Sequence, residues 1–196
     1  YRAVAEAYIR GLQRLVEGGG DPSKVASVAS FFVSRVDTET DRRLEEVGRQ
    51  DLKGRLAIDN AKIVYQEFKK VFSGPEWESL ESRGATKQRP LWASTSTKNP
   101  EYKETVYVDN LIGPETVNTL PLSTLKATMD HAEVRPTLEE GIDEARKLFE
   151  ELKEAGVDYD DVVEVLETEG VQKFADSYEV LIEEIEQKSN RLARQA

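Results

Sequence analysis

Apolar side chains recur along this chain with two different periods. Val4, Tyr8, Leu12 and Leu15 are spaced as one face of a helix, which Gly18-Gly19-Gly20 ends. Over residues 25–34 the spacing gives way to a short, near-continuous apolar run, VASVASFFVS. A run of this kind suits a strand buried in a parallel sheet. Thr38 and Asp41 resemble a capping box that opens a helix to about Val47. A longer helix follows, with Leu52, Leu56, Ala61, Val64, Tyr65 and Phe68 on its buried face. Pro75 suits the first turn of a short helix carrying Trp77 and Leu80. Residues 89–94 predict a second strand, and Tyr107 and Val108 belong to a short element after it. Residues 116–119 predict a third strand, with a helix from Pro121 through about Thr128. From Thr137 to 194 the pattern is helical, opened by a capping box at Thr137–Glu140 and divided by Gly156 and Gly170.

Strands alternating with helices predict βαβ units on a parallel sheet, an α/β fold. Three such strands cannot close a barrel, which needs about eight. An open three-stranded sheet also leaves both edges available for unwanted pairing. With a start already inside a helical pattern at Tyr1-Arg2-Ala3-Val4, this predicts that residues 1–196 are part of one domain of a longer polypeptide.

Composition narrows the function classes. The net charge is −11, and non-specific nucleic-acid binding needs a basic surface that displaces counterions, so no nucleic-acid partner is expected. The chain has no cysteine, which removes disulfides and thiolate metal sites. No apolar run approaches the roughly 18 residues that span a bilayer, so no membrane partner is expected, and a reducing cytoplasm suits the composition. No metal-ligand spacing and no glycine-rich nucleotide loop is present, and no cofactor is expected.

The candidate chemistry lies where the first two strands end. The carboxyl ends of parallel strands are where α/β barrels and open sheets hold ligands. On the first strand Ser30 and Phe32 share one face, and Arg35 stands at or just past its end, able to grip a phosphate bidentately. Surface pairing of Arg35 with Asp37 or Asp41 is the alternative. After the second strand come Ser94, Thr95, Ser96, Thr97 and Lys98, four hydroxyls and an ammonium that fit an anion or, equally, a Ser/Thr-rich turn. His131 is the single histidine and suits a structural or solvated position.

Four stretches in order, SVASFFVSRVD (27–37), QRPLWASTSTKNP (88–100), IGPETVNTLP (112–121) and DHAEV (130–134), resemble the carboxyl-terminal half of transaldolases, most closely the long bacterial type of actinobacteria. The resemblance implies an (α/β)8 TIM barrel, with this chain covering about strands six to eight and the C-terminal helices. It implies transfer of a dihydroxyacetone unit between sugar phosphates, from sedoheptulose 7-phosphate or fructose 6-phosphate to an aldose phosphate, through a lysine Schiff base and without a cofactor. Ser30 and Phe32 then line the pocket, and Arg35 and Ser94 hold the substrate phosphate. Ser96 stands where better-known relatives carry an arginine, and Lys98 is the nearest replacement cation. No catalytic residue falls within this chain: the imine-forming lysine belongs upstream, so the chain alone is expected to be inactive and its partner is the N-terminal half of the barrel, in the same or another chain. The rival readings are a non-catalytic sugar-phosphate binding module and a helical structural or regulatory segment.

Overall fold

The computed structural model describes residues 1–193. Two compact units divide the chain, Tyr1–Val157 and the segment from Asp158 onward. The first unit carries seven helices and a sheet: α1 (Arg2–Glu17), β1 (Val28–Phe32), α2 (Ser34–Glu46), α3 (Leu56–Val71), α4 (Pro75–Glu81), β2 (Arg89–Ala93), α5 (Val106–Asn110), β3 (Val117–Asn118), α6 (Leu122–His131) and α7 (Ile142–Glu154). The second is built on one helix, α8 (Tyr159–Ala193).

The sheet has the order β1-β2-β3, and both pairings are parallel. Parallel neighbours require crossover connections, here α2–α4 between β1 and β2 and α5 between β2 and β3. Register aligns Val28 with Arg89 and Phe32 with Ala93, so β1 and β2 end level with one another. Phe31 and Trp92 meet edge to face across this pair at 6.0 Å, and Trp92 is 1% exposed. Behind the sheet, α3 buries Leu56, Ala61, Val64, Tyr65 and Phe68. Phe72 bridges Phe68 and the edge of Trp77 at 5.4 and 4.9 Å, which ties α3 to α4.

Helix boundaries differ from the sequence pattern at several places: Leu52 lies in a separate short turn before α3, α6 runs on to His131, and three further differences have a local reason. α2 begins at Ser34, four residues before the expected cap at Thr38. The Ser94 carbonyl accepts the Ser34 N–H at 3.0 Å, so the neighbouring strand supplies the cap. The Thr38 hydroxyl donates back to the Ser34 carbonyl from within the helix. Thr137 likewise caps nothing: its hydroxyl donates to the Asp109 carbonyl and accepts from the Ile112 N–H. Helix α7 starts later, after Gly141 in the left-handed region at φ 67°. Gly170 does not divide α8, since one glycine in a helix costs only about 1 kcal/mol. The expected end of the last helix at 194 lies outside the described residues.

Strand β3 is only two residues long. Among the described residues, the outer edges of β1 and β3 have no strand partner.

Candidate functional site

The end of β1 feeds directly into α2, so Arg35 belongs to the first helical turn and not to the strand. Ser30 and Phe32 project on the same side of β1, and both are exposed, Phe32 by 41%. The Arg35 guanidinium carbon sits 4.9 Å from the centre of the Phe32 ring, in cation–π range. Asp37 and Asp41, the carboxylates that the sequence offers as surface partners for Arg35, are both engaged by other groups. Among the described residues Arg35 makes no ion pair, and the residue is exposed.

The end of β2 is organised by backbone. Ser94 adopts φ 57°, a left-handed conformation that a non-glycine residue takes only when its surroundings hold it there. Four contacts do so. The β1–β2 ladder continues with Val33 N–H to the Ala93 carbonyl at 2.9 Å and Ser34 N–H to the Ser94 carbonyl. The Ser34 and Ser94 hydroxyls lie 2.9 Å apart. Thr95 is fully buried and donates to Asn118 Oδ1 at 2.9 Å, which ties the same turn to β3.

Arg35 therefore stands one residue from the side chain that touches Ser94. The structure puts the chain at Arg35 next to the end of β2 but places Lys98 differently. Lys98 Nζ donates to Ser96 Oγ at 3.2 Å and lines a cleft of about 240 Å³ with Asp41, Lys53, Asn99 and Tyr102. Neither Arg35 nor Ser94 lines that cleft. The rim thus carries a guanidinium over the Phe32 ring, a hydroxyl pair one residue earlier in the chain, and a lysine on a neighbouring exposed loop. A guanidinium and hydroxyls are the groups that suit an oxyanion such as a phosphate.

Sequence reasoning missed five residues that organise this rim: Ser34, Asp37, Asp41, Tyr102 and Tyr107. Asp37 is 2% exposed and accepts the Ala57 N–H at 2.7 Å and the Tyr107 hydroxyl at 2.8 Å. Asp41 accepts the Gly54 N–H at 2.8 Å and the Tyr102 hydroxyl at 2.6 Å. Burial pushes the Asp37 carboxyl up to about 7, against the pull of its two donors. Both tyrosine hydroxyls are pushed well above the usual phenol range, first by burial and then by the neighbouring carboxylates, so they remain donors. The signal was present: Asp37 and Asp41 are four residues apart and share one face of a helix. The sequence offers the two acids only as surface partners for Arg35, because nothing in it shows where the tyrosines return.

His131 is exposed, with Nδ1 3.3 Å from Asp130, and takes no part in the rim. Among the described residues, no group of acidic or histidine side chains could hold a metal ion, and no helix is long and apolar enough to cross a membrane.

Compared with known proteins, residues 1–185 match the family described as Transaldolase/Fructose-6-phosphate aldolase. The chain is 49% identical over 195 residues to a protein of Frankia alni named transaldolase, covering 97% of this chain and 53% of that protein. A transaldolase of Parafrankia sp. is 50% identical over 192 residues, with 96% and 52% covered. A transaldolase of Mycolicibacterium paratuberculosis is 47% identical over 193 residues, again with 96% and 52% covered. The chain spans about half the length of the curated relatives it matches.

Proposed function

The chain belongs to the transaldolase/fructose-6-phosphate aldolase family, and from that premise we propose that it forms the phosphate-gripping side of a transaldolase barrel. In this reading β1, β2 and β3 are strands six, seven and eight, and the unpaired outer edges of β1 and β3 meet the strands of an N-terminal half. The complete protein, acting in the cytoplasm, transfers a dihydroxyacetone unit between sugar phosphates. A lysine outside this chain attacks the ketose carbonyl and expels water to form an imine. The protonated imine takes up the electron pair released when the carbon–carbon bond breaks, the aldose phosphate departs, and the resulting enamine adds to a second aldose phosphate.

This chain's part is binding and orientation. Arg35 and Ser94 hold the terminal phosphate, Ser30 and Phe32 line the pocket wall, and Lys98, with Ser96, adds a positive charge at the rim where an arginine fork is absent. One observation carries the reading: the Ser34–Ser94 contact joins the two strand ends, and the next residue, Arg35, lies over the Phe32 ring without a carboxylate partner among the described residues.

The test is Arg35→Ala in the full-length protein, with fructose 6-phosphate affinity measured by calorimetry. Loss of a hydrogen bond to a charged group costs about 1.5–3 kcal/mol, or roughly tenfold to a hundredfold in affinity. A change below twofold counts against a phosphate role. Borohydride trapping with fructose 6-phosphate locates the imine independently. The expected adduct lies outside residues 1–196, and an adduct on Lys24, Lys62 or Lys87 overturns the assignment.

A further inference from the structure

The segment between β2 and β3 is fastened along α2 at three points. At its start, the Ser94 carbonyl and hydroxyl meet Ser34, the first residue of the helix. Further on, the Tyr102 hydroxyl reaches Asp41 at 2.6 Å, and from α5 the Tyr107 hydroxyl reaches Asp37 at 2.8 Å. At a rise of about 1.5 Å per residue, Ser34 and Asp41 are about 10 Å apart along the helix. The turn bearing Ser96 and Lys98 therefore hangs between two anchors on the helix that also carries Arg35.

The two carboxylates are used alike. Each turns one oxygen to a backbone N–H in the segment that opens α3, Gly54 for Asp41 and Ala57 for Asp37, and the other to a tyrosine hydroxyl. Asp37 thus satisfies one of the amides at the start of α3, whose own cap residue, Arg55, makes no side-chain cap. Tyr102 is held from a second direction. A Cβ on Gly54 would come within 2.7 Å of its ring, and Gly54 itself sits at φ 69°. The hydroxyl end of the ring approaches backbone that has no side chain in the way.

The geometry points to Asp41 and Tyr102 as positioning residues: acting through the 94–102 loop, they set where Ser94, Ser96 and Lys98 stand relative to Arg35, and so set the protein's grip on the phosphate of its substrate. This rests on the phosphate-binding reading of Arg35 and Ser94. Neither residue needs to touch the substrate. An aspartate on a helix and a tyrosine on a loop hold the loop in register, because a hydroxyl that cannot ionise in the working range donates to a carboxylate that accepts.

The experiment compares Tyr102→Phe, Asp41→Asn and Gly54→Ala with Arg35→Ala in the full-length protein. The readouts are inhibition by inorganic phosphate, kcat and KM with fructose 6-phosphate, turnover of phosphate-free fructose, and thermal midpoint. Tyr102→Phe keeps the ring and removes only the clamp's hydrogen bond, and Gly54→Ala displaces the ring and also strains the backbone at φ 69° whose N–H Asp41 accepts. Both are expected to weaken phosphate inhibition and raise KM in parallel, about threefold to tenfold, with kcat and fructose turnover within twofold of wild type. Asp41→Asn, which still accepts the Gly54 N–H and can donate to the Tyr102 oxygen, is expected to do the same more weakly. The inference is overturned if Tyr102→Phe leaves phosphate inhibition within twofold while Arg35→Ala weakens it, a result that leaves the functional reading intact. It is also overturned if fructose turnover falls as much as fructose 6-phosphate turnover, since the tyrosine then supports the fold at large. If Arg35→Ala itself leaves phosphate inhibition unchanged, the functional reading fails and takes this inference with it.

Discussion

The two strand ends at the rim carry their cations by different means. At the end of β1 the chain goes straight into α2, so its cation sits on a helical first turn, over an aromatic ring, with a backbone that has no freedom to wander. At the end of β2 the chain enters a loop, and its cation, Lys98, stands four residues past Ser94 with only Ser96 beneath it. A guanidinium so placed is preorganised, whereas an ammonium on a loop is a point charge whose position depends on what ties the loop down. The difference explains why the clamp exists on one side only: α2 needs no fastening to itself, while the 94–102 loop needs Asp41 and Tyr102.

The comparison breaks most completely if the floor common to both ends is removed. Trp92 is 1% exposed, pairs with Phe31 on β1 and sits one residue before the end of β2. Trp92→Ala is expected to destabilise the full-length protein by about 3–5 kcal/mol, as large buried aromatics do, with both ends lost together. Its indole N–H has no hydrogen-bond partner among the described residues, so Trp92→Phe is expected to cost much less. Denaturant unfolding of the two variants checks this, and an equal loss in both shows that the ring's bulk is not what supports the rim.

A second test separates the clamp's two rungs by pH. Asp37 has its carboxyl raised to about 7 by burial, with Asp41 and Asp59 adding repulsion, while the unfolded carboxyl titrates near 4. Between those values the folded state binds the proton and the unfolded state does not, so Asp37's contribution to stability falls as pH rises from about 4 to 7 and is level above that. The slope is at most about 1.4 kcal/mol per pH unit. An asparagine there accepts the Ala57 N–H and donates to Tyr107 without ionising. The stability difference between wild type and Asp37→Asn is therefore expected to move in the variant's favour across this window, measured by urea unfolding at several pH values. A difference that stays constant with pH removes the buried-acid account.

Much of this was legible in the sequence where the determinant is local. The three strand positions, the buried face of α3 and the Pro75 helix follow from periodicity and from residues with fixed backbone habits. The start of α2 was not, because the group that caps Ser34 is a carbonyl sixty residues later, and a helix cap supplied from a neighbouring strand leaves no trace near the helix. The acid pair Asp37 and Asp41 was visible, but its tyrosine partners lie 61 and 70 residues away. Arg35 and Ser94 were singled out as types and spacing. Their nearness depends on the level register of β1 and β2, which no single strand encodes.

A smaller effect sharpens the contrast between the two cations. If Lys98 acts as a loop-borne point charge, Lys98→Ala in the full-length protein should weaken fructose 6-phosphate binding by about threefold to fivefold at low salt. Screening shortens the reach of an exposed charge to about 8–10 Å near physiological ionic strength, so the loss should shrink toward nothing as salt rises. The Arg35→Ala loss, which includes directed hydrogen bonds, should persist. Calorimetric titration at two ionic strengths decides it. Equal salt dependence for the two variants erases the distinction drawn between helix-borne and loop-borne cation.

The smallest effect concerns Phe32. Its ring is exposed by 41% and lies 4.9 Å from the Arg35 guanidinium. A cation–π contact at so open a site is worth about 0.5–1 kcal/mol, and part of that is returned when a phosphate competes for the guanidinium. Phe32→Leu keeps the apolar wall and removes the π face, so fructose 6-phosphate affinity should fall by only about twofold through loss of preorganisation. In an Arg35→Ala background the same substitution should do nothing, because the ring then has no cation to hold. A twofold loss that survives in that background assigns Phe32 to direct contact with the sugar, and the helix-borne arginine would then owe its position to α2 alone.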